Sequence, residues 1–347
     1  MGGETKVDKV MKAVGYKKPL PISDPESLMD IEIANPIVSG RDVLVKVEAI
    51  SVNPVDVKVR TRAAPEGMPY KILGWDAAGV VVETGADSTL FQAGDEVYYA
   101  GSLTRPGTNA EFHLVDERIV GKKPKSLDFT AAAALPLTTI TAWELLFDRF
   151  GVRLGKPSDA GCVLIVGAAG GVGSILIQLA RRLTGLTVIA TASRQETRDW
   201  CLTLGAHHVI DHTKPLVAQL REIGVPHVEY IASLTATDKH YPALVEALAP
   251  QGKLGLIDDP AVLDVTLLKR KSASLHWEFM FARPVFHTPD MLAQHLLLDE
   301  VSTLVDAGLL RTTLAENLGT INATNLKKAH TMIESGRTRG KLVLAGF

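Results

Sequence analysis

The heptapeptide Gly167-Ala168-Ala169-Gly170-Gly171-Val172-Gly173 constrains this chain more than any other feature, because of what flanks it. Before it runs CVLIVG (162 to 167), an uninterrupted apolar segment that reads as a fully buried strand. After it, GVGSILIQLARRL (171 to 183) places Val172, Ile175, Leu176, Leu179, Ala180 and Leu183 on one helical face. A glycine turn between strand and helix lets backbone N–H groups approach a pyrophosphate while the helix N-terminus faces the anion. Against the common G-x-G-x-x-G form, Ala168 takes the first glycine position and Gly170 and Gly173 keep the second and third. The stretch is uncharged from Asp159 to Arg181, about long enough to span a bilayer. Its five glycines instead mark strand, turn and helix.

With 347 residues the chain is too long for one ordinary core, which predicts two domains. Strand-like runs LTVIATA (186 to 192), HHVID (207 to 211), VEYIAS (228 to 233) and KLGLID (253 to 258) alternate with helical patterns. That alternation predicts an α/β domain with a doubly wound parallel sheet over residues 137–282. Upstream, VLVKVEAIS (43 to 51), AGVVVETG (78 to 85), GDEVYYA (94 to 100) and AEFHLV (110 to 115) are short strands between turn signals. They predict a mostly antiparallel β-barrel domain over 11–136, completed by 283–347, with 1–10 as an N-terminal extension. LPLTTITAWELLFDRF (135 to 150) reads as the helix leading into the second domain.

A net charge of -2 offers no footprint for nucleic acid or an anionic membrane. The two cysteines, Cys162 and Cys201, allow neither a disulfide framework nor a four-thiolate zinc site. With no apolar signal segment in the first ten residues, the expectation is a cytoplasmic protein. Sites that take NAD usually carry an acid at the end of the next strand. Here TVIATASR ends instead in Ser193 and Arg194, a hydroxyl and a guanidinium suited to a 2′-phosphate, so NADP(H) is the expected cofactor. His212 lies where it can approach the adenosine phosphate; HHVIDH reads as mainly strand, which spreads His208 and His212 about 13 Å apart and leaves no metal pair.

NPVDVKVR (53 to 60), GWDAAGVV (74 to 81), FQAGDEVYYA (91 to 100), ALPLTTITAWE (134 to 144), GAAGGVG (167 to 173), WEFMFARPVF (277 to 286) and GKLVL (340 to 344) carry a resemblance. Together they resemble the medium-chain dehydrogenase/reductase superfamily, in its zinc-independent quinone oxidoreductase branch, relatives of which carry the label zinc-type alcohol dehydrogenase-like. The resemblance implies a Rossmann domain, a GroES-like domain and a homodimer. Zinc-dependent members place a cysteine where this chain has Asn53, and Gly-His-Glu where it has Gly74-Trp75-Asp76, so no metal site is expected.

Without zinc as Lewis acid, alcohol oxidation is difficult, whereas reduction of a conjugated quinone or enone needs only a few donors for the developing oxyanion. By resemblance, Asn53 lies beside nicotinamide and acceptor, and Thr139 near the nicotinamide ribose or phosphate. Tyr70 is the candidate donor or proton source. The competing structural readings are a turn for Asn53-Pro54, a surface tyrosine, and a helix cap for Thr139. Trp75, Trp277, Phe279 and Phe286 could wall a substrate pocket or simply be core, and Lys341 could contact the cofactor or be solvated. The expected function is an NADPH-dependent, metal-free reductase of quinones or α,β-unsaturated carbonyls; the alternative is a non-catalytic NADPH sensor or partner-binding protein.

Overall fold

The computed structural model describes residues 10–347, so the expected extension over 1–10 lies outside the described residues except for Val10. The chain divides into two compact units, one of residues up to Leu137 together with Phe281–Phe347, the other Thr138–Met280.

The second unit is built on six parallel strands, in the order His208–Ile210, Thr187–Thr191, Cys162–Val166, Val228–Ser233, Leu248–Leu256 and Ser274–Trp277. Chain order reverses at Cys162–Val166: the next two strands lie on one side of it and the last three on the other. In such a sheet, ligands bind beyond the C-terminal ends of the strands at this switch point, and the glycine loop leaves the chain there. Burial on both faces explains the apolar strand sequences; Leu164, Val166, Ile189, Leu244 and Leu254 share one core with Ile231. The uncharged stretch is strand, turn and the helix Gly171–Leu183. A different stretch, Phe129–Arg149, is the one described helical run long and apolar enough to cross a membrane, and it is mostly buried within the protein. It is interrupted: the α-helix Pro136–Trp143 gives way to a π-helical turn, Glu144–Arg149, where Phe150 N donates to Leu145 O at 3.0 Å.

In the first unit, the eleven-residue strand Asp42–Val52 organises a seven-stranded sheet. Its neighbours Lys341–Ala345, Ala77–Thr84 and Phe112–Asp116 all run antiparallel to it, and Leu314–Asn317 pairs parallel with Lys341–Ala345 at one edge. Glu96–Tyr99 and Val120–Lys122 continue the sheet, while Met29–Ala34, Val10–Tyr16 and Lys71–Ile72 form a separate three-stranded one. Register matters for the site: Leu342 faces Val52, so Lys341 comes level with the turn that follows the long strand. The fold is thus α/β, with a Rossmann-type parallel sheet and a GroES-like antiparallel sheet.

Candidate functional site

In the second unit, Gly167 turns the chain at φ +78°, a conformation that favours glycine, and Gly170 N closes the turn onto Gly167 O at 3.1 Å. The helix Gly171–Leu183 then begins at Gly170 without any side-chain cap, the kind of helix N-terminus that can accept an anion. Two glycines have different reasons. A Cβ on Gly173 would meet Ala168 O at 2.4 Å, so this glycine lets the helix close on the loop. A Cβ on Gly170 would find nothing nearer than Gly167 O at 3.4 Å, so the protein's own packing does not require glycine there. A ligand lying against the loop would. Ala168 is fully buried under the turn as packing rather than ligand surface, whereas Ala169, Gly171 and Val172 remain partly exposed.

Ser193 and Arg194 are exposed at the end of the neighbouring strand, and Arg194 is the N-cap of the helix Gln195–Leu204. Sequence reasoning missed Arg198, whose guanidinium donates to Ala192 O at 3.3 Å and Val209 O at 2.9 Å and ties the two strand ends together. His212 is half-buried, edge-on to His240 at 6.1 Å. Burial, then the charge of His212, lowers the His240 imidazole below its usual value. Thr139 is not a cap; it lies inside the helix Pro136–Trp143, fully buried, and its hydroxyl has no hydrogen-bond partner. Buried polar atoms are rarely left so.

The first unit holds a buried polar cluster. Asp76 Oδ2 accepts from Ser51 Oγ at 2.8 Å, Asn53 Nδ2 at 2.8 Å and Lys341 Nζ at 3.1 Å, and Oδ1 accepts from Leu137 N at 2.8 Å. Lys341 Nζ also donates to Val52 O at 3.1 Å and to Asn53 Oδ1. These corrections follow. Lys341, only 3% exposed, is not solvated, and its three protons are committed within the protein rather than to a ligand. Asn53 is buried at the N-cap of the helix Pro54–Arg62, with Nδ2 also 3.4 Å from Ser51 O, so its amide is spent on the framework. Asp56 accepts from Asn53 N at 2.7 Å and fixes that turn; burial raises its carboxyl to about 7.

Trp75 is 1% exposed; its indole donates to Ser102 O at 3.1 Å and packs edge-on to Phe281, which makes it core rather than pocket wall. The other three aromatic candidates are the reverse of core: Trp277 and Phe279 in the second unit are 53% and 48% exposed, and Phe286 in the first is 74% exposed. Tyr70 is half-buried, with Lys17 Nζ 5.4 Å from its ring centroid. Among the described residues, no three His, Cys, Asp or Glu side chains come together to hold a metal ion. Also unanticipated was a Ser233–Thr237–Asp258 chain beyond the strand ends. There Thr237 donates to the Asp258 carboxylate through both N, at 2.9 Å, and Oγ1, at 2.6 Å. No short motif signals such a contact, because its members lie at the end of one strand, at the start of a helix and beyond the end of another strand.

Residues 39–125 match the alcohol dehydrogenase GroES-like domain and residues 204–344 the zinc-binding dehydrogenase model. The chain is 41% identical over 339 residues to a zinc-type alcohol dehydrogenase-like protein of Staphylococcus aureus (strain MSSA476), covering 96% of this chain and 99% of that one. A crystal structure from Rhizobium etli CFN 42, described as a zinc-dependent alcohol dehydrogenase protein, is 58% identical with TM-score 0.94, over 98% of this chain and 99% of that one. The quinone oxidoreductase of Coxiella burnetii is 26% identical with TM-score 0.79, over 98% and 100%. The chain belongs to the medium-chain dehydrogenase/reductase superfamily, and is an oxidoreductase of that type.

Gly173→Ala is expected to lower stability by about 1–3 kcal/mol through overpacking, while Gly170→Ala changes it by less than about 1 kcal/mol. Urea titration of both checks this; equal losses would contradict the assignment of different roles. Lys341→Met leaves Asp76 buried without its cation and is expected to cost about 3–5 kcal/mol, partly recovered by adding Asp76→Asn. Strict additivity in that double-mutant cycle would show that the pair is not coupled.

Proposed function

We propose that this protein is an NADPH-dependent, metal-free reductase of quinones or α,β-unsaturated carbonyls. The observation that carries the reading is the uncapped glycine-loop helix, with no close internal packing at Gly170, followed by a basic rather than acidic turn at Ser193-Arg194. When bound, NADPH supplies the hydride; the acceptor also takes up one proton. The N–H groups of Gly171, Val172 and Gly173 would hold the pyrophosphate, and Ser193 and Arg194 the 2′-phosphate, with His212 nearby. The unpartnered Thr139 hydroxyl fits a hydrogen bond to the nicotinamide ribose or phosphate. Tyr70 is the proposed proton donor, and Phe279 and Phe286 offer exposed aromatic surface to a flat acceptor.

Zinc does not fit this donor set. At the two positions where zinc-dependent members carry thiolate and imidazole stand an amide and an indole, each already bonded internally, and Asp76 is neutralised by Lys341. The name of the Coxiella burnetii neighbour supports a quinone as acceptor. A homodimer is the proposed assembly, supported by the edge position of strand Ser274–Trp277 and the exposed Trp277; the free thiols Cys162 and Cys201 suit a reducing cytoplasm.

Steady-state kinetics with NADPH and NADH test the nucleotide assignment. Arg194→Ala is expected to raise KM for NADPH by about tenfold or more, in keeping with loss of a charge-assisted contact, and to leave KM for NADH within about twofold. Equal effects on both would contradict the 2′-phosphate reading. Tight NADPH binding without turnover on any quinone or enone would favour the sensor instead.

A further inference from the structure

The helix Thr237–Ala247 begins without a cap of its own, because its N-cap residue is Ala236, whose side chain has nothing to offer the first N–H donors. Asp258 supplies the cap from elsewhere. It lies just beyond the strand Leu248–Leu256; its Oδ2 accepts from Thr237 N at 2.9 Å and its Oδ1 from Thr237 Oγ1 at 2.6 Å. A hydroxyl has one proton to give, so Ser233 Oγ, at 2.7 Å, donates in turn to Thr237 Oγ1. Ser233 and Thr237 are fully buried, and Asp258 is half-buried.

The segment anchored in this way leads to the glycine loop. Between the strand Val228–Ser233 and the helix, the chain passes through Leu234, Thr235 and Ala236. Leu234 N donates to Val166 O at 3.1 Å, on the residue just before the loop. Ala236 takes φ +50°, a left-handed conformation that a residue with a Cβ seldom adopts. Such strain persists where its surroundings are fixed, and here Leu234 is held on Val166 and Thr237 on Asp258. Thr235, exposed between them, lays its methyl against the loop: a Cβ on Gly167 would come within 2.9 Å of Thr235 Cγ2. Gly167 is the residue whose φ of +78° turns the chain from strand to loop.

We infer that Asp258 is a positioning residue for the glycine loop: by capping the helix Thr237–Ala247 from a neighbouring strand's exit, it holds Leu234–Ala236, and with it the Thr235 methyl, against Gly167. The inference rests on the nucleotide reading proposed above, since a bound nucleotide is what registers a shift of the loop. Every step of the route is a contact: carboxylate to Thr237, Thr237 through the strained Ala236 to Thr235, and the Thr235 methyl to Gly167. The cap also distinguishes two helix N-termini at the C-terminal edge of the sheet. That of Thr237–Ala247 is filled by the protein's own carboxylate, whereas that of Gly171–Leu183 has no side-chain cap. Of the two, only the second is left for an anion from outside.

NADPH binding to the full chain, read by nucleotide fluorescence, tests this together with amide hydrogen exchange. Asp258→Ala is expected to weaken NADPH binding about tenfold, whereas Asp258→Asn, which keeps an oxygen for Thr237 N, stays within about threefold of wild type. Thr235→Val keeps the methyl and should bind within about twofold of wild type, while Thr235→Ser loses it and should bind about threefold more weakly. Combining Asp258→Ala with Thr235→Ser should weaken binding by less than the product of the two single effects, because both act through one contact. The Leu234 and Thr237 amides should exchange faster in Asp258→Ala. A cap with no positioning role would lower the melting temperature and leave the affinity in place. Unchanged affinity in a folded Asp258→Ala, effects that simply multiply, or a Thr235→Val that binds as weakly as Thr235→Ser would each overturn the inference. Should Asp258→Ala fail to fold, the two Thr235 variants, altered at an exposed side chain, decide it. A wild type that binds no NADPH would count against the proposed function instead. Faster exchange at Leu234 and Thr237 in Asp258→Ala would then still support the strap, and unchanged exchange would overturn it.

Discussion

Four donors converge on the carboxylate of Asp76, and the first unit is arranged around that convergence. Ser51 and Asn53 come from the end of the long strand Asp42–Val52, Lys341 from the final strand and Leu137 from the first turn of the helix that opens at Pro136. The backbone of Asp76 adds to this, since its carbonyl accepts from Ser51 N and from Thr108 Oγ1, both at 3.3 Å. A buried ion pair is a weak source of stability on its own, because desolvation offsets most of the attraction. Its value is in specificity: an Asp76 without these partners would be a bare charge in the core, so the four segments have one arrangement that satisfies it.

The same cluster explains why a chain that matches zinc-binding dehydrogenases need not behave as one. Lys341 brings a fixed positive charge to Asn53 and Asp76, and its three protons find three oxygens. An ammonium in this place holds the framework together but offers no vacant coordination position to polarise an alcohol oxygen. On the proposed function, reduction of a conjugated acceptor would tolerate the lack of zinc, since conjugation spreads the charge that zinc would otherwise stabilise. The family match therefore establishes the fold and the class of chemistry, whereas the donor set carries the argument about the metal.

Most of the fold was legible because its strands and helices repeat local patterns: CVLIVG could only be a buried strand, and the glycine loop announced its own turn. What was illegible depends on residues far apart in the chain. Lys341 reads as a cofactor contact or a solvated lysine until antiparallel pairing sets it beside Asn53, 288 positions earlier in the chain. Trp75, Trp277, Phe279 and Phe286 read alike as pocket wall or core until Ser102 O is seen to receive the Trp75 indole and the other three are seen to be exposed. Helical periodicity over 135 to 150 is right in kind but does not reveal the π-helical turn, because that turn comes at the end of the run, where too few apolar positions follow to show the changed phase. The candidate site was legible where it uses backbone, at Gly170 and Gly173, and least so where it uses buried charge.

The measurement that bears most directly on this account is acceptor-dependent NADPH oxidation by chelator-treated protein, with zinc content determined on the same sample. The account predicts turnover on a quinone or an enone with far less than one zinc per chain, and no gain when zinc is restored. Activity that disappears with the metal and returns in proportion to one bound zinc per chain would contradict it.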